Sequence, residues 1–452
     1  MTGRGKPPPP GPIRPYEFPP VADEPLGNGM RVRVVQKQPL GLVTAMVVLR
    51  AGESAAPAGC EGLAVLAGDA LEGGTTRLSS VELACRLEDI GASFGAATGW
   101  DSTTVAVSCL ADNLVDALPL LAEMVRSPAF DQAEFDRYKA QRLATAAHRR
   151  MDPASLAADF HARSIYGDGD TYARPLGGTE ASLGALEADH ARQYAAARYG
   201  PARAAVVVVG DVESEEVRQL ADREFGDWGE QSANPPEAVV AGREPGRSIH
   251  VVHRPGSVQS EIRVGHVGVS RFIEDYLPLT VVNLVLGGSF SSRLNLNLRE
   301  HHGFTYGVRS TFAARRNRGP FVVSTAVENS VTAAAVREIF REVEALSESG
   351  PTADEVQTAT SYLAGVFPLR MESTGQVASR IAGLIVFGLP VDYYRDYRDR
   401  IREVTREQAV AAARRHIRPR ELCTVVVGDA EAVAPGLEDL KIGPVTIHDL
   451  QS

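Results

Sequence analysis

Gly200-Pro201-Ala202-Arg203-Ala204-Ala205-Val206-Val207-Val208-Val209-Gly210-Asp211 returns later in the chain as Arg418-Pro419-Arg420-Glu421-Leu422-Cys423-Thr424-Val425-Val426-Val427-Gly428-Asp429. Pro201 and Pro419 lie 218 residues apart, as do Asp211 and Asp429. A second pair of runs, Met30 to Val35 and Arg247 to Val252, repeats at an offset of 217. Two valine-rich runs in one register imply a duplicated domain of about 200 residues.

The remaining pattern fits that division. Residues 1–25 are proline-rich and read as an extended arm, 26–225 as the first domain, 226–246 as a Gly/Pro-containing linker and 247–445 as the second domain. Val43 to Leu49, Ser102 to Leu110, Ile262 to Val269 and Phe321 to Val327 have the β-branched, apolar content of strands. Leu114 to Val125, Asp131 to Ala147 and Ala333 to Leu346 space their apolar residues as helices do. This order predicts an α+β fold of two duplicated domains, each a mostly antiparallel sheet with helices packed on it.

Composition narrows the function. Hydrophobic residues make up 44% and charged residues 23% of 452, enough to bury real cores. A net charge of −10 argues against a nucleic-acid partner, whose footprint would be basic, and is compatible with basic peptides. No apolar run reaches the roughly 18 residues of a membrane span, and Met1 to Pro10 carries no signal-peptide pattern. Cys60, Cys85, Cys109 and Cys423 form no C-x-x-C pair, so reduced thiols and a cytoplasmic location are expected.

One further stretch bears on chemistry: Glu61-Gly62-Leu63-Ala64-Val65-Leu66-Ala67-Gly68-Asp69-Ala70-Leu71-Glu72-Gly73-Gly74-Thr75. It resembles the zinc-binding helix of the insulinase/pitrilysin peptidases, the inverted H-x-x-E-H metalloproteases. The frame of Gly62, Leu63, Ala64, Leu71, Gly74 and Thr75 stands, but Val65 occupies the first ligand position, Gly68 the general-base position and Asp69 the second ligand position. The family's third ligand is a glutamate on a later helix, and the matching run Gln141 to Ala147 has no carboxylate. A catalytic zinc needs three protein ligands, so the resemblance implies no metal in this chain. Further matches include Tyr166-Gly167-Asp168, Arg174-Pro175, Gly177-Gly178-Thr179-Glu180, Arg254-Pro255-Gly256 and Ser292-Arg293-Leu294.

In that family an arginine and a tyrosine seven residues apart in the second domain face the zinc across the substrate. Arg299 and Tyr306 hold that spacing, and guanidinium and phenol are suitable donors to a developing oxyanion. The resemblance therefore implies half of a clam-shell: a subunit without zinc, supplying Arg299 and Tyr306 to a homologous partner that carries H-x-x-E-H and the zinc, with a peptide as substrate. The alternative is a structural or peptide-binding homodimer or complex subunit with no peptidase role. A further possibility is metal binding by Asp69 and Glu72, three apart on one helix face.

Other patterns carry less. Gly91-Ala92-Ser93-Phe94-Gly95 matches a serine-nucleophile motif but is preceded by a helical run and followed by a strand, the reverse of what that motif needs. His250 and His253 fall on opposite faces of one strand-like segment. His301-His302 read as an exposed polar turn.

Overall fold

The computed structural model describes residues 15–37, 41–229 and 246–449. The first 14 residues of the proline-rich arm and residues 230–245 of the expected linker lie outside the described residues.

Two six-stranded sheets share one topology. The first comprises β1 (Ala22–Pro25), β2 (Arg31–Gln36), β3 (Leu42–Leu49), β4 (Ser93–Thr98), β5 (Thr103–Leu110) and β6 (Ala204–Gly210), in the order β1-β2-β6-β3-β5-β4. The second comprises β7 (Ser248–His253), β8 (Gln259–Val267), β9 (Val308–Phe312), β10 (Pro320–Glu328), β11 (Cys423–Gly428) and β12 (Val445–Asp449), in the order β12-β7-β11-β8-β10-β9. The repeated valine runs are β6 and β11, which occupy the same place in the two sheets. Pairing is antiparallel except at β2–β6, β7–β11 and β7–β12. The outermost strand differs: β1 comes from the N-terminal side and runs antiparallel, whereas β12 comes from the C-terminal side and runs parallel.

Two boundaries differ from the sequence reading. Ala22 to Pro25, assigned above to the arm, pair with β2, and Asp23 bonds Arg31 there. Trp228, assigned to the linker, is buried against Phe225, and Asn28 donates to the carbonyls of both residues. Prolines and glycines mask such tertiary anchoring in a reading based on composition.

Every residue of β6 and of β11 is buried, so both sheet faces must be covered. Val206 and Val208 point into the core of their own domain. Val207 and Val209 meet Val377, Ala378 and Ile381 on the helix Thr374–Phe387, which belongs to the second copy. The converse holds at β11. Val426 enters its own core, while Cys423, Val425 and Val427 meet Ala157, Ile165 and Tyr166 of the helix Pro153–Tyr166 from the first copy. These are equivalent elements, the third helix after the hairpin in each copy, and each crosses to the other copy's sheet. Polar contacts fix the exchange: Thr44 Oγ1 lies 2.8 Å from Thr374 Oγ1, and Tyr166 donates to the Arg318 carbonyl at 2.8 Å.

This packing predicts mutual dependence. Ile381→Ala should cost about 2–5 kcal/mol, the range for a fully buried isoleucine, and should lower a single calorimetric transition rather than split it. Residues 15–229 expressed alone, with Val207 and Val209 bare, should give no cooperative transition; a sharp one would show that the copies fold independently.

Candidate functional site

The degenerate motif forms the helix Leu63–Asp69, followed by a tight turn through Glu72. Gly62 caps it at φ 87°, in the left-handed region, where a Cβ would also approach the Gly177 carbonyl to 2.6 Å. Its first amides are held by Glu53, a fully buried residue whose carboxylate accepts from the Gly62 and Ala64 N–H groups at 2.7 and 3.2 Å. Burial pushes the Glu53 carboxyl up to about 7, against the pull of those amides and of nearby Arg174.

The three motif positions are filled by packing. Val65 is buried. Gly68 abuts strand β4, where a Cβ would fall 2.1 Å from Thr98 Oγ1, itself bonded to Thr103 Oγ1 at 3.0 Å. Thr98 thus takes the space that a side chain at the base position would need. Asp69 makes a two-point pair with Arg142, whose Nη2 lies 2.6 Å from Oδ1 and whose Nε bonds Oδ2. The Asp69 bond also holds the Arg142 guanidinium firmly in its charged form.

Arg142 belongs to the helix Gln132–Met151, in the run where the third ligand would lie. Sequence reading noted the missing carboxylate there and overlooked the arginine. The usable signal was Asp69 itself, a carboxylate on an otherwise apolar helix that needs a cation when half-buried. Glu72, the other possible ligand, accepts from the Ala96 N–H of β4 at 2.6 Å, and burial raises its pKa. Among the described residues no group of three His, Cys, Asp or Glu side chains could hold a metal ion. With a guanidinium seated on its carboxylate, this donor set does not fit zinc.

Arg299 and Tyr306 lie elsewhere, on the second copy. Arg299 sits in the wide helical turn Asn295–His301. Its Nε and Nη2 donate to Glu300 Oε1 at 2.9 and 2.7 Å, and its guanidinium lies 3.2 Å from the centre of the Phe290 ring. Tyr306 is fully exposed. Its loop is pinned beside it by Thr305, which bonds the Gly307 carbonyl and Thr325. No hydrogen bond joins Arg299 to Tyr306 among the described residues. His302 stacks on Phe304 at 4.7 Å. Ser93 opens β4 after the helix Ser80–Asp89, with no strand before it, and His250 and His253 bond to different partners, His448 and the Ala430 N–H.

Two predictions follow from the motif helix. Gly68→Ala should destabilise the chain by about 1–3 kcal/mol, the cost of overpacking, and Thr98→Ala in the same chain should recover most of it; additive losses in chemical denaturation would refute the contact. For Glu53, the folded chain binds a proton between pH 4.5 and about 7 that the unfolded chain has lost. Stability should therefore fall as pH rises through that window, by on the order of 3 kcal/mol for this group. Glu53→Gln should flatten the melting temperature over the same range.

Residues 31–179 match the family model Insulinase (Peptidase family M16), and residues 185–363 match the model Peptidase M16 inactive domain. An uncharacterised zinc protease of Streptomyces coelicolor is 27% identical over 312 residues, 68% of either chain. The non-peptidase homologue YmxG of Helicobacter pylori is 23% identical over 410 residues, 89% of this chain and 93% of that one. Among solved structures, the peptidase M16 inactive domain from Pseudomonas fluorescens superposes with a TM-score of 0.84 at 25% identity, over 92% of this chain and 99% of that one. No described helix is long and apolar enough to cross a membrane. Together with the duplicated sheets, these likenesses establish that the chain belongs to the insulinase (M16) peptidase family.

Proposed function

We propose that this chain is the non-catalytic, substrate-binding subunit of a heterodimeric insulinase-like zinc peptidase, giving Arg299 and Tyr306 to the zinc site of a homologous partner that carries H-x-x-E-H. The observation that carries the reading is a contrast within one molecule. The motif positions are closed by the Asp69–Arg142 pair and by Thr98 against Gly68, whereas Tyr306 is wholly exposed. The partner's zinc would polarise the attacking water. This chain's part is to donate from Arg299 and Tyr306 to the peptide carbonyl as it gains negative charge. Glu300 holds the guanidinium in place meanwhile. The edge strand β4, paired on one side only by β5, offers backbone groups to an extended peptide. Four cysteines without disulfides support a reducing compartment, and we place the protein in the cytoplasm.

A second reading, a structural or peptide-binding subunit with no peptidase role, draws support from Arg299 itself, whose charge is already met by Glu300 and Phe290. Reconstitution with an H-x-x-E-H homologue separates the two. Arg299→Ala and Tyr306→Phe in this chain should each lower peptide turnover by about 10²–10³, the cost of removing one oxyanion donor, with the heterodimer intact by gel filtration. Unchanged turnover, or a complex that cleaves nothing while still binding peptide, would favour the second reading.

A further inference from the structure

The bridging helix Thr374–Phe387 has two working faces. Val377, Ala378 and Ile381 cover the first sheet. The opposite face, carrying Ser379, Arg380, Gly383 and Phe387 at helical spacing, lines a cavity of ≈ 330 Å³ in the second copy. Three arginines line it: Arg271, which is nearly buried, Arg380, which is half-buried, and Arg370 at the exposed rim. Four tyrosines join them, Tyr276, Tyr393, Tyr394 and Tyr397, and Leu363, Phe367 and Leu389 complete an apolar wall.

No aspartate or glutamate lines the cavity, and among the described residues none of the three arginines makes an ion pair with a carboxylate. Arg271 is nearly buried, at 9% exposure. Its guanidinium lies 3.7 Å from the centre of the Tyr276 ring, and Nη2 donates to the Tyr393 hydroxyl at 2.9 Å. Burial raises the pKa of Tyr276 and Tyr394, and the charges opposing that rise are those of Arg271 and Arg380. The phenols therefore stay protonated donors in a field of positive sign. Like charges gathered beside a low-dielectric wall repel one another unless an anion joins them. In a chain of net charge −10, three arginines without acidic partners around one cavity need a reason.

We infer that this cavity binds a small organic oxyanion, a carboxylate or phosphate head carried on an aromatic or aliphatic body. Guanidinium and phenol donors would take the head, and Leu363, Phe367 and Leu389 the body. The volume suits a compact molecule rather than a folded partner, at the lower end of small-molecule sites. The site lies apart from the degenerate motif and from Arg299 and Tyr306, so it does not depend on the peptidase reading.

The test uses the intact chain alone, without any partner, in isothermal titration calorimetry. The probes are phenyl phosphate, phenylacetate, inorganic phosphate and benzyl alcohol. One of the two aromatic anions should bind at one site per chain with Kd of about 1 mM or tighter, the better of the two identifying the head group. Arg380→Gln and Arg370→Gln should each weaken it about 10-fold, the loss of one charge-assisted hydrogen bond. Arg370 is exposed, so R370Q keeps the test alive if R380Q disturbs the helix, and R309Q on β9 should change nothing. Equal binding of benzyl alcohol or of inorganic phosphate, affinity unmoved by both variants, or no binding of either aromatic anion would overturn the proposal.

Discussion

The structure depends on two valine strands that cannot be left bare on either side. β6 and β11 are central, and each has one face in its own core and one against a helix from the opposite copy. A half-buried strand alternates polar and apolar residues, and these two do not. Duplication alone would give two sheets with an exposed apolar back. Exchange of equivalent helices, Pro153–Tyr166 one way and Thr374–Phe387 the other, covers both backs at once. It also fixes the orientation of the copies, since each helix is tied to its own domain by the chain on either side.

Much of this was legible in sequence, and the exceptions have one cause. The unbroken apolar run Ala204 to Val209 marks a strand buried on both faces, and the 218-residue repeat marks its twin. Which helix covers the second face is a long-range fact, and the periodicity of Val377, Ala378 and Ile381 fits a domain-internal helix equally well. The same limit applies at the site. Val65, Gly68 and Asp69 showed in sequence that zinc ligands were missing. What replaced them, Arg142 from 73 residues away and Thr98 from 30 residues away, depends on contacts that no local pattern encodes. Strands and helices found by pattern agreed with the structure to within a few residues, whereas the boundaries near Ala22 and Trp228 moved because buried contacts outweighed Pro and Gly composition.

The Asp69–Arg142 pair limits what can be changed at this helix. A zinc ion would draw two helices together through ligands that must stay deprotonated and correctly aimed. A guanidinium–carboxylate pair joins the same helices with a charge that no accessible pH removes from arginine. Gly68 then lets β4 close onto the helix through Thr98. Seating a metal there would have to evict the guanidinium, open the strand contact and supply three ligands together, and each step alone loses packing without gaining coordination.

Tyr306 stands at the other extreme. With its ring wholly in solvent, it contributes nothing to the core, and surface changes of this kind usually move stability by less than about 0.5 kcal/mol. Substitutions at Val65, Gly68 or Asp69 therefore report on folding whatever the function is. A substitution at Tyr306 changes an exposed hydroxyl and leaves the core as it is. The Leu63–Asp69 helix and the Tyr306 loop are thus separable by experiment: the first is absorbed into the fold, and the second presents its side chain to solvent.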